Sequence, residues 1–382
     1  MNSGWLSLGL LLGLGIAQAE PYRDLSIAGA AFYGPGRDTV APDTLSALRL
    51  GLLGPAQSKA GLALQLGVQV AVAEANAAGG CGGLPLAVVF RPDDGPWGVV
   101  ASQVVRLAQE DQVWAIIGGL DGEHAHAAEL VAAKLWVPVL SPGAGDRTID
   151  YANVPWMFRC LPDDRAQADS LARLCVRQGW RRLGVATEAN RDGRMAAERL
   201  LEAARACSLV LALQVEYAPA DPEAAAGRLA GCGAQALIIW GRPATALPLL
   251  ARLRQEGCAL PALGPALLAL PEVAQDQTLG PLIVAAPADL SLPTLPALGE
   301  DPSYIALYAY DTAQLVVAAL RRSGLNRARL RDELAARSYT GLTGPFSFNS
   351  LGGRREGPIL MTARQGRWVR WLDGGAGLIP LR

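Results

Sequence analysis

Basic runs are missing from this chain, and lysine is nearly absent. Lys59 and Lys134 are its only lysines, so arginine supplies almost all of the 34 basic residues that balance 35 acidic ones. A net charge of −1 without a cationic stretch gives nucleic acid nothing to bind. Histidine occurs twice, at His124 and His126, and the six cysteines (Cys81, Cys160, Cys175, Cys207, Cys232, Cys258) are scattered without a CxxC pair. That spacing supports neither a zinc nor a redox centre, and it is too sparse for a disulfide scaffold. No G-x-G-x-x-G or Walker A run stands between a strand and a helix, and no G-x-S-x-G is present. Nucleotide binding and serine hydrolysis therefore lose their sequence support. Beyond the first residues no apolar stretch reaches the roughly 20 positions a bilayer span needs.

What is present is abundant apolar surface. Hydrophobic residues make up 51% of 382 and charged residues 18%, enough for large cores and too apolar for disorder. The length predicts two domains. The opening run, residues 5–16, is apolar and is followed by Ala17-Gln18-Ala19, the small-x-small form of an export signal. Cleavage after Ala19 is expected, with the mature chain in the periplasm. Residues 20–45, which contain Gly and Pro and show little periodicity, read as an arm or an extra edge element.

From residue 48 strand-like and helix-like segments alternate. Strands are expected at 48–53, 84–90, 113–117 and 137–140, with helices at 61–78, 98–110 and 123–134 between them. The pattern restarts after a short strand at 157–160, with helices at 165–178, 194–206, 222–230 and 244–256. The strands of this second array fall at 183–187, 209–217, 236–240, 262–264 and 282–286. Two such arrays predict two doubly wound parallel sheets, with ligands at the carboxyl ends of the strands. Cys232 and Cys258 each precede a strand and could bridge if those strands are neighbours; buried free thiols are the equal alternative. Two further helices are expected at 301–322 and 327–337, and β-structure at 341–348 and 359–371.

The sharpest local cluster is DGEHAH (121–126). A metal site would need both imidazoles on one side, yet residues two apart on a helix point about 200° apart. A capped helix start fits better, with Asp121 and Glu123 near the positive end of the dipole. No nucleophile–base pair is visible, so an enzyme is not expected. Among the loops at strand ends, Trp97 and Trp240 are candidate apolar walls.

Several stretches then line up in a familiar order: AVAEANAAGG (71–80), Asp93-Asp94, WAIIGG (114–119), VPVLSP (137–142), MFR (157–159), YDTA (310–313) and GLTGPFSF (341–348). Together they resemble type I periplasmic solute-binding proteins of the leucine/isoleucine/valine-binding kind. The resemblance implies two lobes joined by three crossovers, near Arg159, Ala286 and Gly357, with residues 46–158 plus 287–356 in one lobe and 159–286 plus 357–382 in the other. It implies a monomer without cofactor that closes on a small ligand and delivers it to the permease and ATPase of an ABC importer.

The resemblance also implies where the ligand sits, and there the chain departs from the amino-acid-binding pattern. The hydroxyl-bearing positions that hold a ligand carboxylate match Gly122 and Glu123, then Gly143, Ala144 and Gly145. The acid facing the ligand ammonium matches Ala266, and two second-lobe tyrosines match Asp192 and Arg242. Tyr310 is retained, and His124 adjoins the cluster. Glu123 at a helix N-terminus competes with an anionic ligand, and three small residues should enlarge the cavity. The expectation is therefore a ligand larger or less polar than a branched-chain amino acid, such as an amide, an aromatic or a lipid-like molecule. Glu123 would accept a hydrogen bond from it, Trp97, Trp240 and Tyr310 would form walls, and Arg242 or Asp192 would close from the second lobe. The alternatives are a ligand sensor on the same fold and a true amino-acid binder that uses backbone donors.

Overall fold

The computed structural model describes residues 36–42, 44–218, 221–292 and 294–372. The export signal and most of the arm lie outside the described residues. The near end of the arm packs on the first lobe, where the Asn326 amide donates to the carbonyls of Gly36, Arg37 and Thr39 at 2.8–3.1 Å.

The first sheet has five parallel strands in the order β2-β1-β3-β4-β5. They are β1 (Leu48–Gly54), β2 (Leu86–Pro92), β3 (Ala115–Gly118), β4 (Val139–Ser141) and β5 (Met157–Arg159). Between them run α1 (Lys59–Ala77), α2 (Trp97–Val105), α3 (Gly122–Leu135) and the single turn α4 (Thr148–Tyr151). The two-residue period of β1 divides its faces. Leu48, Leu50 and Leu52 share one buried cluster with α1, whereas Leu53 joins Val100 and Val104 of α2 and Ala125 and Ala128 of α3 in another.

The second lobe contains α5 (Asp164–Arg177), β6 (Arg182–Glu188), α6 (Arg191–Ala206), β7 (Val210–Tyr217), α7 (Pro222–Ala230), β8 (Ala236–Trp240), α8 (Pro243–Gln255), β9 (Ala262–Gly264), α9 (Pro271–Gln275) and β10 (Leu282–Ala286). The chain then returns to the first lobe as α10 (Tyr304–Ser323), α11 (Arg327–Ala336) and the hairpin β11 (Tyr339–Gly341) and β12 (Gly344–Phe346). It ends on the second lobe as β13 (Ile359–Arg364) and β14 (Arg367–Arg370), completing a seven-stranded sheet in the order β14-β13-β10-β9-β8-β6-β7. Strands β6 to β10 run parallel to one another there, and β13 and β14 are antiparallel additions at the β10 edge. The chain thus passes between lobes after β5, after β10 and after β12, and the fold is two doubly wound α/β lobes with a three-crossover hinge.

The motifs that carried the resemblance are mostly braces. Asn76 clamps the edge strand, donating to the Leu86 carbonyl at 2.9 Å and accepting from its N–H at 2.7 Å. Gly79 and Gly80 follow with φ of +89° and +71°, a left-handed turn that side chains disfavour. Asp311, wholly buried in α10, accepts from the Leu342 and Thr343 N–H groups at 2.9 and 2.7 Å and from the Thr343 hydroxyl at 2.6 Å. It thereby fixes the β11–β12 hairpin. All six cysteines are free, including Cys232 and Cys258, which precede the adjacent strands β8 and β9 without bridging.

Candidate ligand-binding cleft

The cleft is built where helices begin at the carboxyl ends of strands. Asp121 caps α3 by accepting from the His124 N–H at 2.8 Å. Opposite it, Asn190 caps α6 by accepting from the Gly193 N–H at 2.7 Å. Alternation alone placed the start of this helix at 194. The Asn190 cap starts it at Arg191, so Arg191 and Asp192 stand in the first turn and face the other lobe.

That difference sets the contact between the lobes. Asp192 Oδ2 accepts from the Gly122 N–H at 3.1 Å, at the amino end of α3. Arg191 donates to buried Asp146 and, at 2.9 Å, to the Thr148 hydroxyl. Burial alone would raise the Asp146 carboxyl, but bonds from His126, Arg191 and Thr148 outweigh it and hold it well below the usual carboxylate range. Burial raises Asp192 instead. Of the two second-lobe residues expected to close the cleft, Asp192 makes the contact. Arg242 folds back on its own lobe, where its N–H and Nε both donate to Glu188 at 2.9 Å.

The two imidazoles point apart, as the helical spacing requires. His124 Nδ1 lies 3.2 Å from Asp121 and 3.8 Å from Asp93. The hydrogen bond to Asp121 raises its pKa to about 9. Asp93 is wholly buried with both carboxylate oxygens lacking a hydrogen-bond partner, and burial raises it to about 6. His126 Nδ1 meets buried Glu129 at 2.9 Å, and its Nε2 meets Thr148 at 2.8 Å and Asp146 at 3.4 Å. The bonds to Asp146 and Glu129 raise it to about 9 as well. Both rings are therefore cations engaged with carboxylates. Among the described residues no group of three or more His, Cys, Asp or Glu side chains is arranged to hold a metal ion.

Other expected site residues fall elsewhere. Trp240 is 5% exposed, packed in the core between β8 and the α5/α6 layer, so it is no cleft wall. Tyr310 lies in the α1–α10 interface, its hydroxyl donating to Glu74 at 2.6 Å; the retained tyrosine is a packing residue. Trp97 opens α2 and is 43% exposed. Glu123 is exposed in the first turn of α3. The loop from Gly143 to Gly145 does not enlarge a cavity. A Cβ at Gly143 would lie 2.8 Å from the Leu120 carbonyl, and one at Gly145 would lie 3.2 Å from the Gln167 amide nitrogen. Ala144 is buried, its N–H bonded to the Ser141 hydroxyl at 3.1 Å. Ala266 donates its N–H to Gln167 at 2.8 Å. A cavity of about 470 Å³ lies at the hinge, lined by Arg147, Asp163, Arg165, Asn349, Arg354 and Glu356 among others, and none of the expected site residues borders it. Sequence reading missed Arg191, Asp146, Thr148 and Glu129. The signal that could have found Arg191 is Asn190, a good cap three residues before Gly193.

Two lobes with largely parallel sheets, three crossings of the chain between them and helix N-termini that meet where the lobes touch are the architecture of a two-lobed binding protein. The chain belongs to the periplasmic binding protein family, whose sequence model matches residues 47–366. Its fold is similar to that of a branched-chain amino acid transporter substrate-binding protein from Streptococcus pneumoniae, solved with isoleucine. That match has 22% identity and a TM-score of 0.76, over 84% of this chain and 97% of the other. A solute-binding protein from R. palustris solved with benzoate matches at 20% identity and a TM-score of 0.75, over 85% and 95% of the two chains. One from Rhodopseudomonas palustris BisB5 solved with 3,4-dihydroxybenzoic acid matches at 15% and 0.76, over 87% and 99%. At these identities the likeness shows the fold. Among curated proteins, Glutamate receptor 3.4 of Arabidopsis thaliana is 30% identical over 152 residues, which is 39% of this chain and 16% of the receptor. The matched stretch spans less than a fifth of that relative's length.

Proposed function

We propose that this chain is the exported, non-enzymatic solute-binding component of an ABC-type importer. It would work as a periplasmic monomer that takes a small organic ligand into the interlobe cleft and passes it to permease and ATPase subunits. The observation that carries this reading is the opposition of the α3 and α6 amino ends, each at the carboxyl end of a strand, in two lobes connected by three hinge crossings. Such an arrangement opens and closes by hinge motion around a ligand. The ligand is less polar at its head group than a branched-chain amino acid. The 143–145 loop brings no side-chain hydroxyl, and Glu123 stands where a ligand carboxylate would be repelled. Trp97, Gly122, Glu123, His124 and the backbone of 143–145 would form the first-lobe side, and Asp192 the second.

A thermal-shift screen of amino acids, carboxamides, aromatic acids and long-chain alcohols tests this, since a ligand that binds only the folded state raises the melting temperature. Stabilisation by an amide or aromatic and none by leucine is expected; stabilisation by none of them would overturn the reading. A sensing role on the same fold is the second reading, supported by the stretch similar to a plant receptor. Co-purification with a permease rather than with a signalling protein separates the two.

A further inference from the structure

The contact between the lobes has the charge pattern of a bound amino acid. An α-amino acid head group presents a cation and a carboxylate side by side. The first turn of α6 does the same: Arg191 Nη1 and Asp192 Oδ1 are 3.3 Å apart. Each charge meets its complement on the first lobe. The Asp192 carboxylate takes the Gly122 N–H at the positive end of α3. The Arg191 guanidinium takes Asp146, whose side chain is 2% exposed, and Thr148, which the same carboxylate holds at 2.8 and 2.7 Å through its N–H and hydroxyl. Gly122 leaves no space between these groups. A Cβ there would lie 2.5 Å from Asp192 Oδ1 and 2.8 Å from both Arg191 Nη1 and Asp146 Oδ2.

We propose that Arg191 and Asp192 are the specificity-determining residues of the cleft, a built-in zwitterion that fills the charged positions of the first lobe and so excludes free α-amino acids. The inference rests on the solute-binding reading and sharpens it: the ligand admitted is uncharged at its head group, such as a carboxamide. A free amino acid would have to displace these charge-assisted hydrogen bonds before forming its own, so its affinity is held down by the chain itself.

The test compares the full-length mature protein with Arg191→Ala/Asp192→Ala. Alanine is a good helix residue and the Asn190 cap remains, so α6 should still form. Gly122→Ala, which wedges the same contact without removing a charge, is the second variant. Small-angle scattering without ligand should show the parent compact and both variants expanded. Calorimetric titration with L-leucine should show the double variant binding roughly tenfold to a hundredfold more tightly than the parent. Scattering curves that coincide for parent and variants would overturn the proposal, as would a double variant that opens yet gains no affinity for leucine. Tight leucine binding by the parent would overturn it too. The solute-binding reading fails on a different result, the absence of stabilisation of the parent by every solute class in the thermal-shift screen.

Discussion

Arg159 is 1% exposed, yet its guanidinium donates to both oxygens of Asp150, at 3.1 and 2.7 Å, and reaches Asp163 at 3.4 Å. Burial raises the Asp150 carboxyl, and the Arg159 guanidinium limits that rise. Arg159→Met should destabilise the protein by about 3–5 kcal/mol, read from urea unfolding, because a buried carboxylate loses its partner. Asp121→Ala should cost about 1 kcal/mol through the lost α3 cap. It should also bring the His124 pKa down from about 9, followed by the imidazole NMR shift. Glu123→Ala should weaken an amide ligand roughly tenfold to a hundredfold in calorimetry while leaving unfolding unchanged; equal affinity would make Glu123 only a helix-start residue. Individual roles were the least legible part of the sequence. Trp240 looked like a pocket wall because a large ring near a strand end serves a core as readily as a cleft, and Tyr310 because the resemblance retained it. Only the pairing of α1 with α10, and of β8 with the α5/α6 layer, separates those uses.

At the scale of elements the alternation of strand and helix periods carried most of the architecture. The strands at 236–240, 262–264 and 282–286 fall where expected because each is a short apolar run after a turn. Boundaries set by side-chain caps were harder to see. The advance of α6 from 194 to Arg191 is the instance that matters, since it turns a loop into the helix end that meets the first lobe. Helices α1 and α10 pack closely enough to require glycine. A Cβ on Gly67 would lie 2.3 Å from the Ala306 carbonyl and 2.8 Å from Ala309 Cβ. Gly67→Ala should therefore cost about 1–3 kcal/mol despite the better helix propensity of alanine, a reversal of sign measurable by chemical denaturation.

For the whole molecule, pH should act through the two imidazolium groups. His124 and His126 both rise from 6.5 to about 9 in the folded state, so their contribution is complete below pH 6.5 and is lost as pH climbs through 9. The melting temperature should fall between pH 7 and 10, and His126→Gln should flatten part of that slope. Order along the chain, which no single motif reveals, identified the family, because seven weak braces recur in one sequence of spacings. The crossing of the chain between lobes also has a consequence in time. The first lobe's five-stranded sheet is complete at Arg159, but α10, which packs on α1, begins at Tyr304. The Leu48–Leu50–Leu52 face shares its cluster with Tyr308, Ala309 and Ala313 of that helix. A nascent chain that has emerged only to residue 300 therefore carries an apolar surface with no cover. The lobe begun first is completed only after β6 to β10 of the other lobe have been made. A chain that halts before α10 should be bound by chaperones or cut by proteases, and a chain released beyond the β11–β12 hairpin should escape both.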